Sequence, residues 1–241
     1  MISIISSNKL FYKRQEIWFY NGDSVDLYGN NLFYKSFILP KFDVIDLKEN
    51  YTSTINLKSD EDTLFRNIRI GFRNEIRRAE KEVLTYSVSL SPTTDELKEY
   101  ILSYNKFAFF KKLEGRMGLE RFMAYIKSSQ FIITYIRNRN ENITFHSYLI
   151  DKPYRVILLF SHHNINFANN NLRGYANKYH HWKDILYFKK MSCEKYDFGG
   201  TDLINTLNIA RFKMCFGGFT EKQYDFQLTK GIYSFLTKLR K

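Results

Sequence analysis

The sequence is short of the residues that staple, break or anchor a chain, and each shortage removes a class of protein. Its 241 residues include two cysteines, Cys193 and Cys215. That is too few for a secreted disulfide scaffold, and they lack the partner spacing of a zinc site. Both read as buried, reduced thiols of a cytoplasmic protein. Three prolines and eleven glycines build no Pro- or Gly-rich linker. Ile2, Ile4 and Ile5 are too few for the apolar stretch of a signal peptide, and no run approaches the ~20 apolar residues of a membrane-spanning helix. Acids are short too: 25 Asp and Glu face 37 Lys and Arg, a formal net charge of +12. Beyond solubility, that balance favours a polyanionic partner such as nucleic acid, anionic lipid headgroups or a phosphorylated small molecule.

What abounds is aromatic. Phe and Tyr number 22 and 18, and 44% of residues are hydrophobic, so the whole chain is expected to fold. Residues 1–56 read as an N-terminal β elaboration packed on a main domain of 57–241. Short aromatic runs such as Glu16 to Tyr20 and Leu32 to Tyr34 alternate there with turns, which predicts a small antiparallel sheet. A helix is expected from Ser59 to about Glu82, with a capping-box spacing at Ser59–Asp62 and a core face of Leu64, Ile68, Phe72, Ile76, Ala79 and Val83. On an adjacent arc Arg66, Arg69, Arg73, Arg77 and Lys81 form a cationic stripe. Its guanidinium forks suit phosphates, although a merely solvated face has the same look.

A second helix begins at Thr93, capped by Glu96, with Leu97, Ile101, Tyr104 and Ala108 inside. A shorter one follows Gly118. Runs at 130–137, 143–150 and 154–161 read as an antiparallel meander. A polar loop, 164–171, enters a helix with Tyr175, Tyr179, Trp182 and Leu186 on its buried side. The strand Tyr196-Asp197-Phe198 is stopped by Gly199-Gly200. A helix over about 206–214 ends at Gly217-Gly218, a strand spans 223–228, and an amphipathic helix carries Ile232, Phe235, Leu236 and Leu239.

Two linked segments carry a resemblance. Lys195-Tyr196-Asp197-Phe198-Gly199-Gly200-Thr201-Asp202 is followed closely by Ala210-Arg211-Phe212-Lys213-Met214-Cys215-Phe216-Gly217-Gly218. The pair resembles the "YDFGG" and "FKxxFGG" signature of the Fem peptidyltransferases, which build peptidoglycan bridges. The Arg-rich stretch Arg73 to Lys81 is similar to a helix of that family. The resemblance implies a mixed α+β fold of the Gcn5-related N-acetyltransferase type: a central, mostly antiparallel twisted sheet flanked by helices. This chain has room for one such domain, whereas Fem enzymes usually carry two.

That resemblance implies an N-acyltransferase. It would move an acetyl or aminoacyl group from acyl-CoA, or from aminoacyl-tRNA, to an amine on a cell-envelope-related acceptor such as a nucleotide-linked amino sugar or a peptidoglycan precursor. Acyl transfer to an amine needs alignment, a deprotonated amine and a stabilised oxyanion. Lys213 would supply the cation for the oxyanion, and Asp197 would orient or deprotonate the amine, unless it serves the following turn. Arg69, Arg73, Arg77, Gly199, Gly200, Thr201 and Arg211 would receive the phosphorylated acceptor. Asn171-Leu172-Arg173-Gly174-Tyr175-Ala176 matches the last four positions of the Q/R-x-x-G-x-G/A loop with which acetyltransferases of this fold cradle coenzyme A. Asn171, Arg173, Gly174, Tyr175 and Ala176 are accordingly the expected donor site for acetyl-CoA, although a plain helix entry fits as well. No metal is expected: His162-His163 and His180-His181 point differently within each pair and no carboxylate completes a ligand set. Two further partners fit, tRNA as donor carrier and an anionic membrane surface touched peripherally, which would put a cytoplasmic protein at the inner face of the membrane. A basic nucleic-acid-binding module, or an inactive scaffold on the same fold, is the competing reading.

Overall fold

Alternating apolar residues and 3.6-residue apolar stripes resolve into ten strands and six helices among the described residues. The structure is a computed structural model that describes residues 1–8, 12–27, 30–39, 44–113, 117–200 and 207–229. Thr201 and the expected helix at 232–239 lie outside them. The chain divides into two compact units. One holds residues 1–52, Gly200 and 220–229; the other holds Ser53–Gly199 and 207–219.

In the first unit, β1 (Ile2–Asn8), β2 (Tyr12–Trp18), β3 (Asn30–Ser36) and β10 (Phe219–Thr229) follow one another in the sheet, and β4 (Ile45–Asn56) lies beyond β10. Ile17, Phe33 and Phe226 form its core, the two phenyl rings stacked with centroids 4.4 Å apart. The expected antiparallel sheet is corrected at one ladder. β2 and β3 pair in parallel, Arg14 against Asn30 through Trp18 against Tyr34, a pairing that a two-residue hairpin cannot make.

The second unit contains α1 (Glu61–Asn67), α2 (Ile70–Ala79), β5 (Leu84–Ser89), α3 (Thr94–Phe110), α4 (Leu119–Lys127), β6 (Phe131–Asn138), β7 (Glu141–Asp151), β8 (Arg155–His163), α5 (Asn170–Lys190), β9 (Lys195–Gly200) and α6 (Leu207–Met214). The meander of β6, β7 and β8 is antiparallel as expected, β5 joins its outer edge antiparallel, and β9 pairs with β8 in parallel. Adjacent residues of β7 point to opposite faces. The Ser147 side chain meets Tyr100 of α3, while His146 meets Asp184 of α5. Helices therefore cover the meander on both faces.

The single helix expected over 59–82 is two. Asp60, not Ser59, caps the first, its carboxylate accepting from Thr63 N–H. Ile68 and Arg69 then take extended dihedrals, and Arg69 N–H donates to the carbonyl of Cys215 at 2.8 Å instead of to its own helix. Leu64, Ile68, Ile76 and Ala79 remain buried, but Val83, beyond the end of α2, is exposed. The Thr93–Glu96 capping box forms as expected. In α5 the buried face is rotated from expectation: Leu172, Ala176, His180, Asp184 and Phe188 are inside with Trp182, whereas Tyr175, Tyr179 and Leu186 are half-buried. Burying a five-residue file that includes His180 and Asp184 requires polar partners within the sheet, and β7 provides them. Cys193 is buried, its thiol pushed up to about 11 by burial, while Cys215 is only half-buried.

Candidate active site

The end of β9 and the facing helix α6 bring the two signature segments together. Gly199 has a φ of +75°, and a Cβ there would lie 2.8 Å from the Leu158 carbonyl oxygen, so the turn admits only glycine without strain. Gly217, at φ +82°, presses within 2.8 Å of the Asn67 backbone in the same sense. Both glycine pairs thus begin as packing requirements. Gly200, in the other unit, leaves a Cβ position 3.3 Å from Lys35 Nζ.

Lys213 on α6 donates from Nζ to the Gly199 carbonyl at 3.3 Å and is half-buried. This fixes an ammonium at the carboxyl end of β9. Among the described residues the ladder between β9 and β8 runs from Lys195 to Asp197 and so ends just before that ammonium, with Gly199 still packed on the Leu158 carbonyl. Ligand crevices form outside the carboxyl ends of parallel strands.

Asp197 has a different position from the one expected. It is fully buried. Its Oδ2 accepts from Arg155 at 2.8 Å and its Oδ1 from the Gly199 N–H at 2.7 Å. A carboxylate so occupied neutralises Arg155 and braces the turn; it does not reach a solvent-borne amine. In this arrangement Asp197 braces the following turn, and with it the residue whose carbonyl receives Lys213.

Beside α6 a groove of about 360 Å³ is lined by Asn67, Arg69, Leu207, Ala210, Arg211, Met214 and Cys215. Arg69 and Arg211 are exposed in it. The cationic stripe divides accordingly. Arg73 and Arg77 do not line the groove: Arg77 lies over the Phe65 ring at 5.3 Å, and Arg73 is half-buried with its Nε unpartnered.

The expected donor loop is inside a helix. Asn169 caps α5 by accepting from Leu172 N–H, and Arg173 N–H already bonds the Asn169 carbonyl. Gly174, Tyr175 and Ala176 follow within the helix, where main-chain N–H groups are turned to preceding carbonyls. A Cβ on Gly174 would meet nothing within 4 Å. Arg173 donates to Asn170 and Phe167, and Tyr175 accepts from Arg78 at 3.3 Å. The amides of Asn170 and Asn171, in the first turn, have no carbonyl of their own helix to meet.

A second polar cluster, between β7 and α5, was not expected. Asp184 accepts from Tyr148 and His146 at 2.6 Å each and from Tyr86 at 2.9 Å. Tyr148 is in turn 2.8 Å from the Tyr196 hydroxyl, which is 3.1 Å from His181 Nδ1. His180 bridges Thr134 and Thr144 and stacks on His146 at 3.7 Å. Burial pushes the three phenols up and holds His180 and His181 well below the usual histidine range. His146, His181 and Asp184 offer ligand atoms within 4.8 Å of one another, so a carboxylate does stand beside the histidines, contrary to expectation. Within the cluster the Asp184 oxygens take three donors, His146 Nδ1 among them, and His181 Nδ1 faces the Tyr196 hydroxyl. His146 Nε2 has no hydrogen-bond partner. The signal in the sequence was the period-2 polar file Thr144, His146, Tyr148 in an apolar strand, matched by His180 and Asp184 one helical turn apart.

No family model matches the sequence, and no curated protein matches it. Solved structures do. FemX superposes at a TM-score of 0.61 with 12% identity, over 78% of this chain and 63% of FemX. The C-terminal domain of a putative lysylphosphatidylglycerol synthetase from Agrobacterium fabrum gives 0.56 at 11% identity, over 87% of this chain and 71% of that one. L-PGS from Bacillus licheniformis gives 0.54 at 11%, over 87% and 72%. The chain thus spans less than two thirds of the length of FemX. The chain shares the fold of these structures: mixed α+β, with a large sheet flanked by helices. Among the described residues no helix is long and apolar enough to cross a membrane.

Proposed function

We propose that this chain is an N-acyltransferase that transfers an aminoacyl or acetyl group to an amine of a phosphorylated, cell-envelope-related acceptor. The observation that carries the reading is the Lys213 ammonium, held by the Gly199 carbonyl at the carboxyl end of β9, where its ladder with β8 has ended. The amine nitrogen attacks the acyl carbonyl carbon, the bond to the donor's sulfur or oxygen breaks as the amine's proton passes to that departing atom, and Lys213 faces the oxyanion formed between the two steps. Arg69 and Arg211 take the acceptor's phosphate in the adjoining groove. The fold shared with FemX and with a lysylphosphatidylglycerol synthetase domain supports envelope acceptors, a nucleotide-linked sugar or a peptidoglycan precursor among them. It would place the protein on the cytoplasmic side of the membrane.

Two donors remain in the proposal. Acetyl-CoA would have to use the first-turn amides of Asn170 and Asn171, since Gly174 to Ala176 are within α5. An aminoacyl-tRNA needs no such cradle and suits the +12 net charge. Calorimetry with acetyl-CoA and, separately, with charged tRNA separates them: saturable binding of one with transfer to an amine acceptor is expected. Lys213→Ala should keep that binding and lose ~10²–10³ in turnover. Unchanged turnover in Lys213→Ala sinks the assignment, and binding of any RNA without preference for the charged end points to a nucleic-acid module instead.

A further inference from the structure

Helix α3 has two apolar faces where one suffices. Leu97, Tyr100 and Ala108 are buried against the meander and α4. On the opposite side Leu102, Phe109 and Phe110 are 57%, 81% and 64% exposed. At ~100° per residue these three, with Lys106, fall within a single arc of about 100°. The chain then turns at Lys112, which has a φ of +54°, and Leu113 N–H returns to the Ala108 carbonyl at 2.9 Å. That turn adds Leu113, 49% exposed, to the same end.

Charge is sorted along the same helix. Asp95, Glu96 and Glu99 stand towards its start, where Lys98 is paired with Asp95 at 3.1 Å, whereas Lys106, Lys111 and Lys112 stand with the phenylalanines and are all exposed. Lys111 Nζ lies 5.7 Å from the Phe110 ring centroid. Two adjacent rings projecting from a helix end amid three ammonium groups match the boundary between acyl chains and anionic headgroups, where rings sink and lysines stay at the phosphates. A second copy of this chain would bring the same three lysines against themselves.

We propose that the carboxyl-terminal half of α3, led by Phe109 and Phe110 and flanked by Lys106, Lys111 and Lys112, docks this protein onto an anionic lipid bilayer. The proposal is independent of the acyl-transfer reading. It concerns the face of the meander opposite α5.

Co-sedimentation of the full chain with phosphatidylcholine vesicles, with and without a quarter of phosphatidylglycerol, tests it. Binding to the anionic vesicles is expected, about tenfold or more above that to the neutral ones, and weakening as salt is raised. The exposed double variants Phe109→Ser/Phe110→Ser and Lys111→Glu/Lys112→Glu should each reduce it by about tenfold or more, with melting temperature and circular dichroism unchanged. Equal binding to both vesicle types, or wild-type binding by the phenylalanine variant, overturns the proposal. So does gel filtration showing a dimer that Phe109→Ser/Phe110→Ser turns into a monomer, since the occupant would then be a second copy.

Discussion

Two polar regions of the second unit make opposite use of ionisable side chains. Around Asp184, three histidines and three tyrosines are sealed between β7 and α5, and the carboxylate takes three hydrogen bonds. At α6, Arg69 and Arg211 line a groove, and on the same helix the half-buried Lys213 donates to the Gly199 carbonyl. The richer cluster is the poorer candidate. A carboxylate saturated with donors and closed to solvent stabilises a core, whereas chemistry needs a charge that a substrate can still reach. Removing Asp184 tests this most severely. Asp184→Ala strands His146, Tyr148 and Tyr86 and should lose about 3–5 kcal/mol on chemical denaturation, while the protein that remains folded at low temperature keeps turnover within a few-fold. Lys213→Ala should do the reverse, with stability intact and turnover gone. If Asp184→Ala abolishes turnover in fully folded protein, the sealed cluster belongs to the reaction and the comparison fails.

Acid should also reach the two regions differently. His162 is buried, stacked on Phe145 with centroids 4.6 Å apart, and burial lowers it to about 3; His163, half-buried, is lowered to about 4. In the unfolded chain both bind a proton near pH 6.5. Stability is therefore complete above that pH and drains as pH falls from about 6.5 towards 3, with His162 alone worth up to about 5 kcal/mol at ~1.4 kcal/mol per unit. His180 and His181, depressed in the same direction, steepen the fall. Denaturation midpoints at pH 7.5, 6 and 5 should decline, and the non-titrating His162→Gln should decline less steeply. Equal slopes in the two proteins would mean that His162 is already protonated in the fold.

Much of the second unit could be read from local pattern. The meander, the Thr93–Glu96 capping box and the two glycine pairs are written in neighbouring residues, so periodicity and turn chemistry reach them. What escaped was set by contacts remote in sequence. The break between α1 and α2 exists because Arg69 N–H finds Cys215, 146 positions away by the separation of their side chains. The rotation of α5 follows from His180 and Asp184 meeting Thr144, His146 and Tyr148 on β7, a partnership no window of one helix contains. The parallel pairing of β2 and β3 is one that a two-residue hairpin cannot make. For the site, the motif led to Lys213 and to the groove arginines Arg69 and Arg211, but it could not tell that Asp197 is consumed by Arg155, since the two are 42 positions apart.

The smallest predicted effect decides the most about the donor. Gly174 was the pivot of the expected coenzyme A loop, in which a glycine permits close approach of a phosphate to the backbone. In the fold it is the fifth residue of α5, and open space surrounds the position a Cβ would take. Gly174→Ala should then raise stability by about 0.4–1 kcal/mol, because alanine narrows the unfolded ensemble and favours the helix. Donor affinity should stay unchanged. A phosphate resting on the Gly174 backbone would give another pair of results: the same gain in the free protein, but donor binding weakened by about tenfold or more where the methyl group meets the pyrophosphate. Measuring melting temperature and donor affinity together on this one variant separates a helix start that merely has the spelling of a coenzyme A loop from one that works as such.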